Sequence, residues 1–393
     1  MNHVELSIPI SRKYQEEILK NLYWIDPGFV SLSFDTSDER RLCYQYRDNT
    51  IAPKASLDRL KETANRLGRS LKRLPNKVIF ESAVREVPSC AQPYEQLCQR
   101  GWLVRALDGA HTYHGLMSDL FHALDIQFRR EAFALNVEEC KFPTLISLPA
   151  LARSGYLESF PHNANFVCHL PEQAETVEAF KAQVQTGNTT TPPVNADHAL
   201  SPTVCYHYYH SQQNRVLKEG ELLALTAASP CYRFEGKAMI GLRRLREFNM
   251  REIIFMGTPA TVLARRDALI ESQKHMLDFC QLRSTIQTAS DPFFIDTYDK
   301  KRMFQVSFDL KFEVQAHLPA DDAWLAIGSV NYHQDHFGKD FNIRLASGEP
   351  VHSCCLGFGI DRWCMAIFAQ YGLEPCDWPL KLRELVETYQ ANR

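Results

Sequence analysis

The stretch richest in potential chemistry is CYRFEGKAMIGLRRLREFNMRE, from Cys231 to Glu252. Two arms alternate apolar and polar residues around a short Gly-bearing loop, the pattern of an antiparallel hairpin. Arg233 and Glu235 stand two apart on the first arm, so a strand places them on one face. The return arm carries Arg246, Glu247, Phe248, Arg251 and Glu252. Such a ribbon suits a polyanionic ligand whose charge must be neutralised. It equally suits a surface hairpin with cross-strand ion pairs, each worth about 0.2–1 kcal/mol. Further on, HSCCLGFGIDRW runs from a Gly-bearing strand into a helix through Asp361 and Arg362. No G-x-G-x-x-G follows a strand into a helix and no Walker A sequence occurs, so neither a Rossmann unit nor a P-loop is expected.

These side chains need a scaffold. After Ser201 strands dominate: TVCYHYYH, ELLALTA, CYRFE, REFNMREIIFMG, FQVSFDLKFEVQAHL, AWLAIGSVNYH and HSCCLGFGI, interrupted by the helix TVLARRDALIESQKHMLDFCQ. Consecutive strands joined by hairpins predict an α+β fold with a mixed, mainly antiparallel sheet flanked by helices. Before them, HGLMSDLFHALDIQFRREAFAL reads as a long amphipathic helix leading through NVEECKFPTLI into a strand that stops at Pro143. The Pro- and Thr-rich QVQTGNTTTPPVNADHALSP reads as a loop. The beginning of the chain reads as an extra N-terminal α+β region, residues 1–104, ahead of a main domain at 105–393. Within it, VELSIPI and FVSLSF alternate as strands and SRKYQEEILKNLYWI has helical spacing. A second helix places Leu57, Leu60, Ala64, Leu67, Leu71 and Leu74 on one face. Lys54, Arg59, Lys61, Arg66, Arg69, Lys72 and Arg73 fall on the other. That basic face is either a solvated surface or a dock for an acidic partner.

Composition narrows the setting. A chain of 393 residues with 45% hydrophobic and 23% charged residues is ordinary for one large or two soluble domains. A net charge of −3 argues against a general nucleic-acid binder. No apolar run approaches the roughly 20 residues that span a membrane, and MNHVELSIPISRKYQEE lacks a signal-peptide core. A cytoplasmic protein with its 12 cysteines reduced is the expectation. The absence of any CxxC pair gives no local sign of a zinc ribbon.

Taken together, CYRFE, REFNMRE and GFGIDRW resemble motifs 2 and 3 of class II aminoacyl-tRNA synthetases, and CKFPTLI is similar to motif 1. LTAASPCYRFE and GSVNYHQDHF are most similar to seryl-tRNA synthetases. The resemblance implies a class II synthetase-type fold that binds ATP, usually as a homodimer paired through motif 1. It implies that Arg233 contacts the α-phosphate and the substrate carboxylate, and that Glu235 accepts from the adenine amino group. Phe248 would stack on adenine, and Arg362 would cover its other face and the γ-phosphate. Magnesium would accompany ATP. Where seryl enzymes carry an acidic residue ahead of Ser-x-Asn, this chain is apolar near Leu325, which leaves the magnesium ligands open, with Glu313 as a candidate substitute.

The pattern Cys205, Glu252 and Cys355 resembles the zinc ligands of atypical, methanogen-type seryl enzymes and of their shortened relatives, the amino acid:[carrier protein] ligases. Two thiolates and a carboxylate leave one tetrahedral position for a substrate α-amino group. Cys354 and Glu247 are neighbouring alternatives. The tail AQYGLEPCDWPLKLRELVETY, with CYHYYH and FPTLISLPALARSGYLESFP, closely resembles the carrier-protein ligases. The expected activity is therefore ATP-dependent activation of a small amino acid and its transfer to a holo acyl carrier protein. A seryl-like synthetase charging tRNA and a non-catalytic paralogue are the alternatives.

Overall fold

A computed structural model describes residues 2–73, 75–84, 86–189, 196–291, 303 and 305–393. Expectations resting on Leu74, the Arg73 side chain, Phe304 and residues 190–195 lie outside these described residues.

Residues near the start of the chain close a core of their own. Helices α1 (Arg12–Leu22) and α2 (Lys54–Arg73) cover an antiparallel sheet of Asn2–Glu5, Arg41–Tyr46 and Phe29–Phe34, in that spatial order. On α2 the residues at i, i+4, i+7 and i+11, namely Leu60, Ala64, Leu67 and Leu71, are buried with Ile18, Leu22, Phe29 and Leu42. Lys54, Arg59, Lys61, Arg69 and Lys72 are exposed on the other side and Arg66 is half-buried, as the spacing predicts.

The main sheet has eight strands: β1 (Val78–Glu81), β2 (Glu138–Glu139), β3 (Leu223–Tyr232), β4 (Glu247–Gly257), β5 (Ser284–Thr288), β6 (Lys311–Leu318), β7 (Ala323–Gln334) and β8 (His352–Gly359). They lie in the order β1-β5-β6-β7-β8-β4-β3-β2, antiparallel except where β2 joins β3. β1 comes from the segment assigned by sequence to the N-terminal region, yet it forms an edge of this sheet. Leu97, from the same segment, is buried in the main core. Helices α3 (Gly115–Ala134), α5 (Pro259–Phe279) and α6 (Ile360–Tyr371) cover one face. α5 starts cleanly because Pro259 sits in its first turn and the Thr258 side chain accepts from the Thr261 N–H.

The two-residue period of the strands sorts side chains between this helical layer and the open face. On β8, Cys354, Leu356 and Phe358 enter the core, where Phe128 stacks on Phe358 at 4.1 Å and Trp363 meets Phe128 edge-on. Cys355, Gly357 and Gly359 face the other way. β4 alternates likewise: Ile253 and Phe255 point to the core, while Phe248, Met250 and Glu252 face the open side.

Several elements differ from the sequence reading: the strand expected to stop at Pro143 is only Glu138–Glu139, and a separate short strand, Leu145–Ser147, follows the proline. ELLALTA and the start of CYRFE share one strand, β3, since Pro230 sits mid-strand without ending it, but β3 stops at Tyr232 and Arg233, Phe234 and Glu235 lie in the turn beyond. β6 begins at Lys311 rather than within FQVSFDL. TVCYHYYH is a short helix, α4 (Cys205–Ser211). Its buried hydrophobic residues Cys205, Tyr208 and Tyr209 follow i, i+3, i+4, with His207 buried beside them, a pattern that a short aromatic run makes hard to tell from alternation.

Candidate active site

The open face of the sheet floors a cavity of about 790 Å³. Arg233, Glu235, Phe248, Glu313, Asn331, Arg362 and the trio Cys205, Glu252, Cys355 all line it. Four strands, two helix starts and the turn after β3 deliver them from positions far apart in sequence. Gly357 keeps the floor low: a Cβ there would lie 3.0 Å from Met250 Sδ.

At one end lies the charged hairpin. Arg233 Nε donates to the Pro202 carbonyl at 3.2 Å, and its guanidinium sits 5.2 Å from the Phe248 ring centroid. Glu235 pairs with Arg244 at 3.8 Å. Arg362 donates to the Ala326 carbonyl at 3.0 Å, and burial followed by the nearby Arg244 lowers its pKa. Asp361 fixes the start of α6 against β4, accepting from Tyr113 and from the Asn249 N–H at 2.5 Å. On β4's other face the buried Arg251 is gripped by Asp125 at 2.7 Å and Glu139 at 3.3 Å, locking the strand to α3 and β2. Glu313 is opposite Ser329 in the β6–β7 pairing and faces the same cavity.

Deeper in the cavity, ligand atoms of Cys205, Glu252 and Cys355 all lie within 4.8 Å of one another. Adjacent candidates are not brought in. The Cys354 thiol points away toward the Val262 carbonyl at 3.5 Å, and Glu247 accepts from Tyr232 at 3.4 Å. Glu252 Oε1 accepts from Thr203 Oγ1 at 2.6 Å and from the Val204 N–H at 3.2 Å. Its Oε2 is buried with no hydrogen-bond partner among the described residues. A buried, unsatisfied carboxylate oxygen beside two thiols is costly unless a cation completes it. Two sulfurs and one oxygen are a donor set that zinc accepts.

Electrostatics agree with that chemistry. Burial pushes the Cys205 thiol well up, while a hydrogen bond from Cys205, with His333 nearby, holds Cys355 well down. Burial raises Glu252 from its ordinary 4.5 to about 7. A carboxyl raised in the fold binds a proton there that the unfolded chain has already lost, so its contribution falls as pH rises from about 4.5 to about 7. Metal uptake must displace such protons. Zinc affinity of the stripped protein is therefore expected to increase between pH 6 and pH 8, checked by chelator competition. Equal affinity at both pH values would count against a ligand set that holds protons.

Sequence reasoning missed several cavity residues. His333 Nε2 lies 3.7 Å from Cys355 Sγ, and its Nδ1 is 3.0 Å from Ser353 Oγ. Its spacing of two from Asn331 on a strand was the available signal. Lys311 pairs with Asp291 at 2.5 Å beside Arg233, a contact between distant segments that no local spacing advertises.

Residues 189–371 match the profile of the tRNA synthetase class II core domain (G, H, P, S and T). The chain belongs to the class II tRNA synthetase family. It is 31% identical to amino acid--[acyl-carrier-protein] ligase 1 of Bradyrhizobium diazoefficiens, over 79% of this chain and 95% of that protein. It is 27% identical to the type-2 serine--tRNA ligase of Methanopyrus kandleri, over 92% of this chain and 72% of that protein. In fold it is similar to M. kandleri SerRS, solved in complex with A. aeolicus tRNASec. The TM-score is 0.72 with 23% identity, covering 98% of this chain and 77% of that one. Among the described residues no helix is long and apolar enough to cross a membrane.

Proposed function

We propose that this protein activates a small amino acid with ATP and transfers it to the phosphopantetheine thiol of a holo acyl carrier protein. The observation that carries the reading is the Cys205–Glu252–Cys355 cluster in one cavity with the Arg233, Glu235, Phe248 and Arg362 constellation. The match over 95% of a carrier-protein ligase supports the acceptor.

In this reading Glu235 and Phe248 seat adenine, while Arg233 and Arg362 neutralise the phosphates. The amino acid carboxylate oxygen attacks the α-phosphorus, the bond to the bridging oxygen breaks, and pyrophosphate leaves with its charge. Arg233 stabilises the charge that grows on the α-phosphate and orients the carboxylate for in-line attack. The carrier thiol, on losing its proton, then attacks the carbonyl carbon and AMP departs, giving the aminoacyl thioester. Cys205, Glu252 and Cys355 would hold zinc, which when bound supplies a coordination position for a neutral α-amino group. Glu313, which lines the same cavity, would serve magnesium on ATP.

One observation favours a second reading, a serine--tRNA ligase. Similarity to that relative extends over 92% of this chain, against 79% for the carrier-protein ligase. Offering purified protein both total tRNA and a phosphopantetheinylated carrier, with mass-spectrometric readout, decides between them. The carrier is expected to gain one aminoacyl group while tRNA stays uncharged. Charged tRNA with an idle carrier would overturn the acceptor assignment, and no adenylate-dependent product on either would overturn catalysis itself.

We also infer a homodimer paired through the motif 1 segment and α3, the helix that leads into it, on which Ile126 and Phe133 are exposed in the single chain. Light scattering at micromolar concentration should give twice the mass of one chain, and a monomer would count against the pairing.

A further inference from the structure

The two cysteines of the ligand trio meet different hydrogen-bonding surroundings. Cys355 lies directly opposite Asn331 in the β7–β8 pairing. Asn331 Nδ2 donates to Cys355 Sγ at 3.7 Å and to Ser329 Oγ at 3.2 Å. His333 Nε2 approaches the same sulfur, also at 3.7 Å. At Cys205 the contact is of another kind. Thr203 Oγ1 stands 3.5 Å from that sulfur, but its single proton goes to Glu252 Oε1 at 2.6 Å.

The backbone of β7 is shaped around His333. β7 and β8 pair regularly as far as Tyr332 with Cys354, and pairing resumes at Gln334 with Ser353. His333 is thus the extra residue of a β-bulge, a device that re-aims one side chain. Gln334 beside it has φ of 54°, a left-handed conformation uncommon outside glycine. The His333 ring meets Phe337 edge-on at 4.8 Å and Tyr209 at 6.0 Å. Its Nδ1 faces two hydroxyls, Ser353 Oγ at 3.0 Å and Tyr209 Oη at 3.4 Å. Hydroxyls can donate to Nδ1, whereas a metal-bound thiolate can only accept. These partners favour the tautomer that carries its proton on Nε2, aimed at Cys355.

We propose that His333 is a positioning residue of the metal centre, donating its Nε2–H to the Cys355 thiolate and so directing that sulfur toward Cys205 and Glu252. The inference rests on the zinc reading of the trio and adds a residue with no ligand role. The ligand atoms that lie within 4.8 Å of one another belong to Cys205, Glu252 and Cys355, so His333 stands outside the donor set. An N–H at a thiolate withdraws charge from the sulfur and fixes its direction without adding a ligand. With Asn331 as a second donor, Cys355 is the weaker electron donor of the two thiolates and Cys205 the stronger.

The test loads the full-length protein with cobalt(II) in place of zinc and reads the sulfur-to-cobalt charge-transfer absorption. Zinc affinity is measured alongside by chelator competition. His333→Phe keeps a ring between Phe337 and Tyr209 but removes the donor. Its charge-transfer band is expected at longer wavelength, because a thiolate without that hydrogen bond gives up charge more easily. Zinc binding should weaken about tenfold, the lower end of the effect of losing an outer hydrogen bond at a metal site. His333→Gln, whose amide nitrogen can reach the place of Nε2, should restore both. An unmoved band in His333→Phe would overturn the inference, whatever the affinity, since weaker binding alone marks a packing lesion. His333→Gln behaving no better than His333→Phe would also overturn it, since that marks a ligand rather than a donor. Failure of the unaltered protein to take up either metal would instead remove the zinc reading, and this inference with it.

Discussion

Cys205→Ser and Cys355→Ser will each lose zinc and adenylation together, whereas Cys354→Ser will keep both. Unaltered protein should hold about one zinc per chain, as a three-ligand site with an open position does. The neighbouring thiols differ because a strand turns consecutive side chains to opposite faces. Cys355 shares the cavity with Cys205 and Glu252, and Cys354 is buried against α5 near the Val262 carbonyl. Losing a metal that positions the amino group should slow amino-acid-dependent pyrophosphate exchange by at least about a hundredfold, the scale of removing one preorganised electrostatic contact. Elemental analysis paired with the exchange assay reads both quantities. Metal loss in Cys354→Ser alone would place the ligand one residue away.

Arg233→Ala and Arg362→Ala form the second large effect. Each removes a guanidinium from the end of the cavity where the hairpin concentrates charge. Exchange should fall at least about a hundredfold in each variant, with the fold retained. Arg233→Lys should not recover full rate, because a point charge lacks the planar fork that grips carboxylate and phosphate together. Zinc content should stay at the unaltered level in all three, which separates these lesions from those of the cysteines. Normal exchange in both alanine variants would remove the proposed ATP site.

The sequence revealed this cavity unevenly. The pairing of Arg233 with Glu235 was legible from their spacing, although both lie past the end of β3 and it is the turn there, not strand alternation, that brings them to one cavity. Strand alternation did separate Cys354 from Cys355 once β8 was recognised. Cys205 was harder, since seven residues rich in tyrosine and histidine fit helix and strand alike, and the chain resolves the choice only by packing Tyr208 and Tyr209 inward. The metal trio carries no ligand spacing of its own. Its members meet because α4 abuts β4 and β4 pairs with β8, and only a family resemblance drew attention to them. The main sheet's use of Val78–Glu81 was equally hidden, because a short edge strand has no pattern that announces its partner.

Arg251 and Glu252 are consecutive, yet they serve opposite sides of the sheet. One is clamped to Asp125 on α3 and to Glu139, while the other stands in the ligand trio. A strand paired on both edges behaves as a stiff crossbeam, and adjacent side chains on it cannot shift independently. The carboxylate that faces the substrate is thus anchored through its neighbour to the helix we assign to subunit pairing. In mechanical terms the two halves of a dimer would share one frame, and the position of each ligand trio would be set from outside its own cavity.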